Sequence, residues 1–124
     1  MSDIDKMTRM SQQAMQNAAE RAERERNPTV EPWHLLFEIL TQEGGIVPQV
    51  IRSGMKLGLD GLVKEIENQI EHLPKVSGAE LRVEASSDLV RIFKGAEQLA
   101  KKMGDEYIST EHFLLAALAT GTAS

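Results

Sequence analysis

The chain writes the opening of one helix twice. Val30-Glu31-Pro32-Trp33-His34-Leu35-Leu36-Phe37-Glu38-Ile39-Leu40 returns as Ile108-Ser109-Thr110-Glu111-His112-Phe113-Leu114-Leu115-Ala116-Ala117-Leu118. The two histidines lie 112 − 34 = 78 residues apart, and Leu36 with Leu114 and Leu40 with Leu118 keep that offset. Each copy opens on a β-branched residue, passes through a capping position, and places Pro or Thr at the first helical residue. Val30 is placed to pack on Leu35, and Ile108 on Phe113, as hydrophobic staples. A duplicated helix start restricts the chain to folds built from a repeated helical unit.

The offset extends backwards. From about Asp5 to Arg26, Met7, Met10, Ala14, Ala18 and Ala22 form one stripe at helical spacing, with Met15 and Ala19 beside it. Glu20 to Arg26 reads as a charged outer face, stopped by Asn27-Pro28. Adding 78 sets Met15 on Phe93, Ala18 on Ala96 and Ala22 on Ala100. The matching second helix starts at a Ser86 or Ser87 cap, and Leu89, Val90, Ile92, Phe93, Ala96, Leu99, Ala100 and Met103 line its buried side. Gly104 is suited to a left-handed terminator.

Between these pairs, Gly44-Gly45 ends the first signature helix, Ile46 to Ser53 forms a short helix, and a helix capped by Asp60 runs to Pro74. Lys75 to Ala85 lacks a helical stripe and reads as a surface linker, with Leu81 and Val83 only weakly alternating. The second signature helix is expected to end near Gly121. The expected fold is all-α: a pseudo-two-fold duplicated four-helix repeat, with repeat one at 5–74, a linker at 75–85 and an incomplete repeat two at 86–124.

Composition narrows the function. The chain's 124 residues suffice for one domain, and with 4% aromatics its core must be aliphatic. A net charge of −5 argues against a nucleic-acid-binding role, because phosphate contacts need clustered Lys and Arg. The absence of cysteine excludes disulfides and thiolate chemistry and suits a reducing compartment. No apolar run reaches membrane-span length, and the acidic Met1-Ser2-Asp3-Ile4-Asp5 start is unlike a signal peptide, so a cytoplasmic protein without a membrane partner is expected.

Glu43-Gly44-Gly45-Ile46-Val47-Pro48, Leu73-Pro74-Lys75-Val76 and Gly104-Asp105-Glu106-Tyr107-Ile108-Ser109-Thr110-Glu111-His112-Phe113-Leu114-Leu115 together resemble the Clp amino-terminal domain, in the variant carried by ClpB-type disaggregases. The resemblance covers nearly the whole chain. It implies two pseudo-symmetric four-helix repeats in front of AAA+ modules that form a hexameric ring. The implied task is recognition of exposed hydrophobic segments of unfolded or aggregated client proteins. A freestanding adaptor, or the corresponding domain of a protease-linked Clp unfoldase that docks adaptors, is the alternative. The chain then reads as a fragment: it has no Gly-rich loop ending in Gly-Lys-Ser/Thr, so ATP and magnesium are expected only on downstream modules of the parent. Trp33 departs from the family, which usually writes an acidic residue there. If repeat two lacks its last helices, Leu115 and Leu118 should be less covered than in a complete domain.

Candidate chemistry is sparse, and no enzyme is expected. His34 and His112 occupy equivalent third helical positions, which favours orienting helix starts over catalysis or metal binding. His72 reads as solvent-facing, and the pairs Glu65/Glu67 and Glu20/Glu23 read as solvated helix faces. Ser86-Ser87-Asp88 reads as a cap, not a nucleophile. By resemblance, Thr8, Asp105 and Glu111 match polar positions on the client-facing surface. They also suit local roles as a cap, a turn and a helix-dipole partner. Phe93 is the best apolar contact candidate, beside methionines whose soft side chains suit an adaptable groove.

Overall fold

Six α-helices account for most of the residues described by the computed structural model, which are 3–54, 58–78 and 80–120. They are α1 (Arg9–Arg24), α2 (Pro32–Thr41), α3 (Ile46–Gly54), α4 (Gly58–Glu71), α5 (Ser87–Lys102) and α6 (Thr110–Thr120). The expected end of the last helix near Gly121 lies outside the described residues, as does the end of the domain at 121–124.

α2 is the central element. Its residues Leu35, Leu36, Ile39 and Leu40 are all buried. α1 packs on one side through Ala14, Ala18 and Ala22, whose small side chains let the two helices approach closely. α4 covers another side with Ile66 and Ile70. α5 and α6 form the second hairpin around Ile92, Ala96, Phe113, Ala116 and Ala117. α2 touches both, so the two repeats share one core.

The 78-residue offset reaches further than the helices. Thr8 caps α1 by accepting from the Ser11 N–H at 3.2 Å, and Ser86, at 8 + 78, caps α5 by accepting from the Leu89 N–H at 3.0 Å. Each long helix ends on a residue of positive φ: Arg26 at 59° and its mate Gly104 at 75°. At both ends the next amide reaches back to a buried alanine carbonyl, Asn27 to Ala22 and Asp105 to Ala100, each at 2.8 Å.

The segments before the helices cross between repeats. Met7, just before α1, forms a parallel bridge with Ile108, just before α6. Their mates do the reciprocal: β1 (Thr29–Val30), before α2, pairs in parallel with β2 (Glu84–Ala85), before α5, with Val30 opposite Ala85. The Thr8 N–H donates to the Ile108 carbonyl, and the Ser86 N–H to the Val30 carbonyl, both at 3.0 Å.

Several expectations need correction. α1 starts at Arg9, not Asp5, because residues Asp3–Lys6 form a 3₁₀ turn and Met7 is extended in its bridge. Met10 lies at the surface. Asp60 sits in the first turn of α4, which starts at Gly58, and is not its cap. The 75–85 stretch is no plain linker, since its last residues form β2, and Arg26 holds it through Nε to the Val76 carbonyl at 2.8 Å and a second bond to the Gly78 carbonyl. Val90 and Met103 are exposed, not buried.

Arg21 reads in the sequence as part of the charged outer face but is buried. It bonds Glu67 of α4 and Glu25, each with a 2.5 Å contact, and stacks 4.7 Å from the Phe37 ring. Glu67 therefore belongs to an interhelical ion pair and not to a purely solvated face. The bond to Glu67 raises the Arg21 pKa. Glu25 is held below the usual carboxylate range: burial pushes it up, but the Arg21 bond and charge outweigh that.

Candidate functional site

Both histidines are buried and use both ring nitrogens. The Glu31 N–H donates to His34 Nδ1, and the Ser109 N–H to His112 Nδ1, each at 2.9 Å. An Nδ1 that accepts leaves the proton on Nε2. His34 Nε2 accordingly donates to Asn27 Oδ1, and His112 Nε2 to Asp105 Oδ2, both at 2.9 Å. Asn27 and Asp105 are mates across the offset, 105 − 27 = 78. Each histidine thus ties the start of a signature helix to the end of the preceding long helix. Burial, followed by the charge of Arg21, lowers the His34 pKa.

Ser109, His112 and Asp105 line up in the order of a nucleophile, a base and an orienting carboxylate, with Ser109 Oγ 3.0 Å from His112 Nδ1. The line cannot work as a relay. The Nδ1 lone pair that would take the hydroxyl proton already accepts the Ser109 backbone N–H. Repeat one builds the same geometry with Glu31 where Ser109 stands, so this is a helix start.

The three polar candidates gather at one corner, around the Met7–Ile108 bridge. Thr8 is half-buried, its side chain capping α1 and its N–H bonded to Ile108. Asp105 is exposed yet anchors the buried His112. Glu111, in the first turn of α6, accepts a bond from the Ser109 hydroxyl. Each makes a local structural contact, and exposed surface remains on Asp105.

Phe93 lies elsewhere. It is half-buried, 5.9 Å from the Phe113 ring between centroids, and lines a furrow of about 330 Å³ with Met15, Ala85, Leu89, Val90, Lys94 and Glu97. Thr8, Asp105 and Glu111 are not in its lining. The link between corner and furrow is Lys6, whose Nζ bonds Glu97 at 2.9 Å and whose carbonyl accepts the Ile108 N–H at 2.8 Å. That bond to Lys6 lowers the Glu97 pKa.

Sequence reasoning missed Ala85, Lys94 and Glu97 as furrow residues, and it read Val90 as core. The offset held a signal for Val90: its mate is Gln12, a polar residue that is only half-buried on α1. No group of three or more His, Asp or Glu side chains placed to hold a metal occurs among the described residues. None of the described helices is long and apolar enough to cross a membrane.

On α6, Leu115 is 45% and Leu118 57% exposed, whereas Leu40, the mate of Leu118, is 1% exposed on the α2 helix that α4 packs against.

Comparison with known proteins gives a consistent result. The profile of the Clp repeat (R) N-terminal domain matches residues 6–124. The chaperone protein ClpB of Bdellovibrio bacteriovorus is 44% identical over 115 residues, which is 93% of this chain and 13% of that protein. The chain thus spans about one eighth of the length of that relative. Among solved structures, the N-terminal domain (1-163) of the ClpV1 ATPase from E. coli superposes with a TM-score of 0.86 at 19% identity, over 98% of this chain and 73% of that one. A complex of a ClpV N-domain with a VipB peptide superposes with a TM-score of 0.76 at 21% identity, over 98% and 72%.

Proposed function

Because this chain belongs to the Clp repeat N-terminal domain family, we propose that it is the client-recognition part of an ATP-dependent chaperone of the ClpB type. In this reading it holds exposed apolar segments of unfolded or aggregated proteins and presents them to AAA+ modules of the same polypeptide, assembled as a hexameric ring in the cytoplasm. It carries out no catalysis itself and needs no cofactor.

The observation that carries the proposal is the open furrow with apolar walls from Met15, Leu89, Val90 and Phe93. A domain that keeps Val90 41% exposed beside a concave apolar surface has a place for an apolar segment. Methionine and phenylalanine walls adapt to many side chains, which suits clients that share hydrophobicity and not sequence. The peptide complex of a ClpV N-domain supports peptide binding as a use of this fold. In this reading a client segment that continues past Lys6 and Glu97 meets the polar corner at Thr8, Asp105 and Glu111.

Titration of the domain with a denatured model protein tests this. The expected dissociation constant is about micromolar or weaker, with much weaker binding to the native form of the same protein. Phe93→Ser should weaken the binding. Equal affinity for native and denatured forms would overturn the proposal.

A further inference from the structure

The furrow has a backbone edge as well as apolar walls. In a parallel pair, alternate residues turn their N–H and C=O toward the partner strand. Across the β1–β2 pair Val30 is the bonded residue, since its carbonyl accepts from Ser86, the residue after Ala85. The N–H and C=O of Ala85 therefore face away from β1. Ala85 is exposed and lines the furrow.

Repeat one closes the equivalent edge. Met7, the mate of Ala85 at 85 − 7 = 78, is buried, and its carbonyl accepts from Gln12 Nε2 at 2.9 Å. The mate of Gln12 is Val90, which has no donor and stands exposed on the furrow wall. Repeat two thus replaces the side chain that seals this edge with an apolar one, and it does so where the furrow opens. Charge adds a direction. Lys94 lines the furrow and has no ion-pair partner among the described residues, whereas Glu97 is neutralised by Lys6.

We propose that the furrow takes an extended apolar peptide segment as a short added strand on Ala85, with one apolar side chain against Met15, Leu89 and Phe93 and a carboxylate of the peptide on Lys94. Strand addition reads the main chain, which every client has, and leaves selection to one apolar pocket and one charge. This rests on the reading of the furrow as the client site and specifies how the client is held there.

The probe is a short unstructured peptide rich in Leu and Val with one Glu, titrated by NMR into the intact chain. On saturation, hydrogen exchange at the Ala85 amide should slow about tenfold. A single backbone N-methyl group, moved along the peptide, should weaken binding about three- to tenfold at one position and little elsewhere. Val90→Gln, which offers the Ala85 carbonyl the seal that Gln12 gives Met7, should weaken binding by a similar factor with an unchanged melting temperature. Lys94→Gln should weaken the Glu peptide and not its Gln counterpart. If the peptide binds with furrow shifts at Leu89 and Phe93, but Ala85 exchange, N-methylation and Val90→Gln have no effect, strand addition is wrong and the furrow reading survives. If it binds without shifts there, or fails to bind, both are wrong.

Discussion

At the scale of single residues, the two histidines are the clearest case of one geometry used twice with different partners. Asn27 serves His34 and Asp105 serves His112. Asp105→Asn should therefore fold with little loss of stability, since Asn27 shows that an amide oxygen suffices. Asp105→Ala leaves a buried Nε2–H without an acceptor and should cost about 1–3 kcal/mol, measured by urea denaturation. A role for Asp105 in client binding is consequently read from the Asn variant. His34 also gives a pH dependence. Its folded-state pKa lies below the unfolded value of about 6.5. The stability it contributes is complete above that value and is lost as pH falls through the lower folded value, because protonated Nδ1 faces the Glu31 N–H. The urea midpoint should fall between about pH 7 and pH 5, and His34→Gln, whose amide oxygen can accept the same N–H, should flatten that slope. The equivalence of the histidines and their role at helix starts were legible from spacing alone. Their partners were not, because Asn27 and Asp105 sit seven residues upstream in what reads as a terminator and a turn.

At the scale of elements, the helices were legible because apolar spacing, caps and Gly or Pro stops agreed. The misreadings fall where a long-range contact overrode local pattern. Met7 fits the α1 stripe, yet its bridge to Ile108 keeps it extended. Arg21 sits in a run of charges, yet Glu67 and Phe37 draw it inward. Repeat two places Leu99 at the mate of Arg21. Arg21→Leu should then be tolerated better than Arg21→Ala, which strips packing as well as charge and leaves Glu67 and Glu25 facing each other. The alanine variant should lose about 3 kcal/mol, read from thermal and urea unfolding. Gly104 tests the helix end separately. Nothing lies within 4 Å of an added Cβ there, so Gly104→Ala meets no clash, and its cost of about 1 kcal/mol is that of a left-handed backbone alone.

At the scale of the whole molecule, the duplication was legible but its reciprocity was not. Spacing predicts two similar halves and says nothing about which half pairs with which. The crossed bridges make each repeat complete the other: Met7 of the first needs Ile108 of the second, and Ala85 of the second needs Val30 of the first. α2 adds contacts to α5 and α6. A fragment ending at Pro74 should therefore show no cooperative thermal transition by circular dichroism, although four of the six helices lie within it. Phe93 was legible as an apolar groove contact, but the polar residues expected around the same trough, Thr8, Asp105 and Glu111, do not line the furrow. The furrow's position beside β2 was not legible, because two residues of strand leave almost no periodicity to read.

The bridge between Met7 and Ile108 spans 108 − 7 = 101 residues of chain. During translation the first of these positions leaves the ribosome long before the second has been made. Until then Met7 has no strand to lie against and Thr8 no carbonyl to bind, so the opening of the domain waits for its close. Nascent chains arrested before Ile108 emerges should remain open to protease at residues 5–8, and resistance there should arrive in one step once α6 is out.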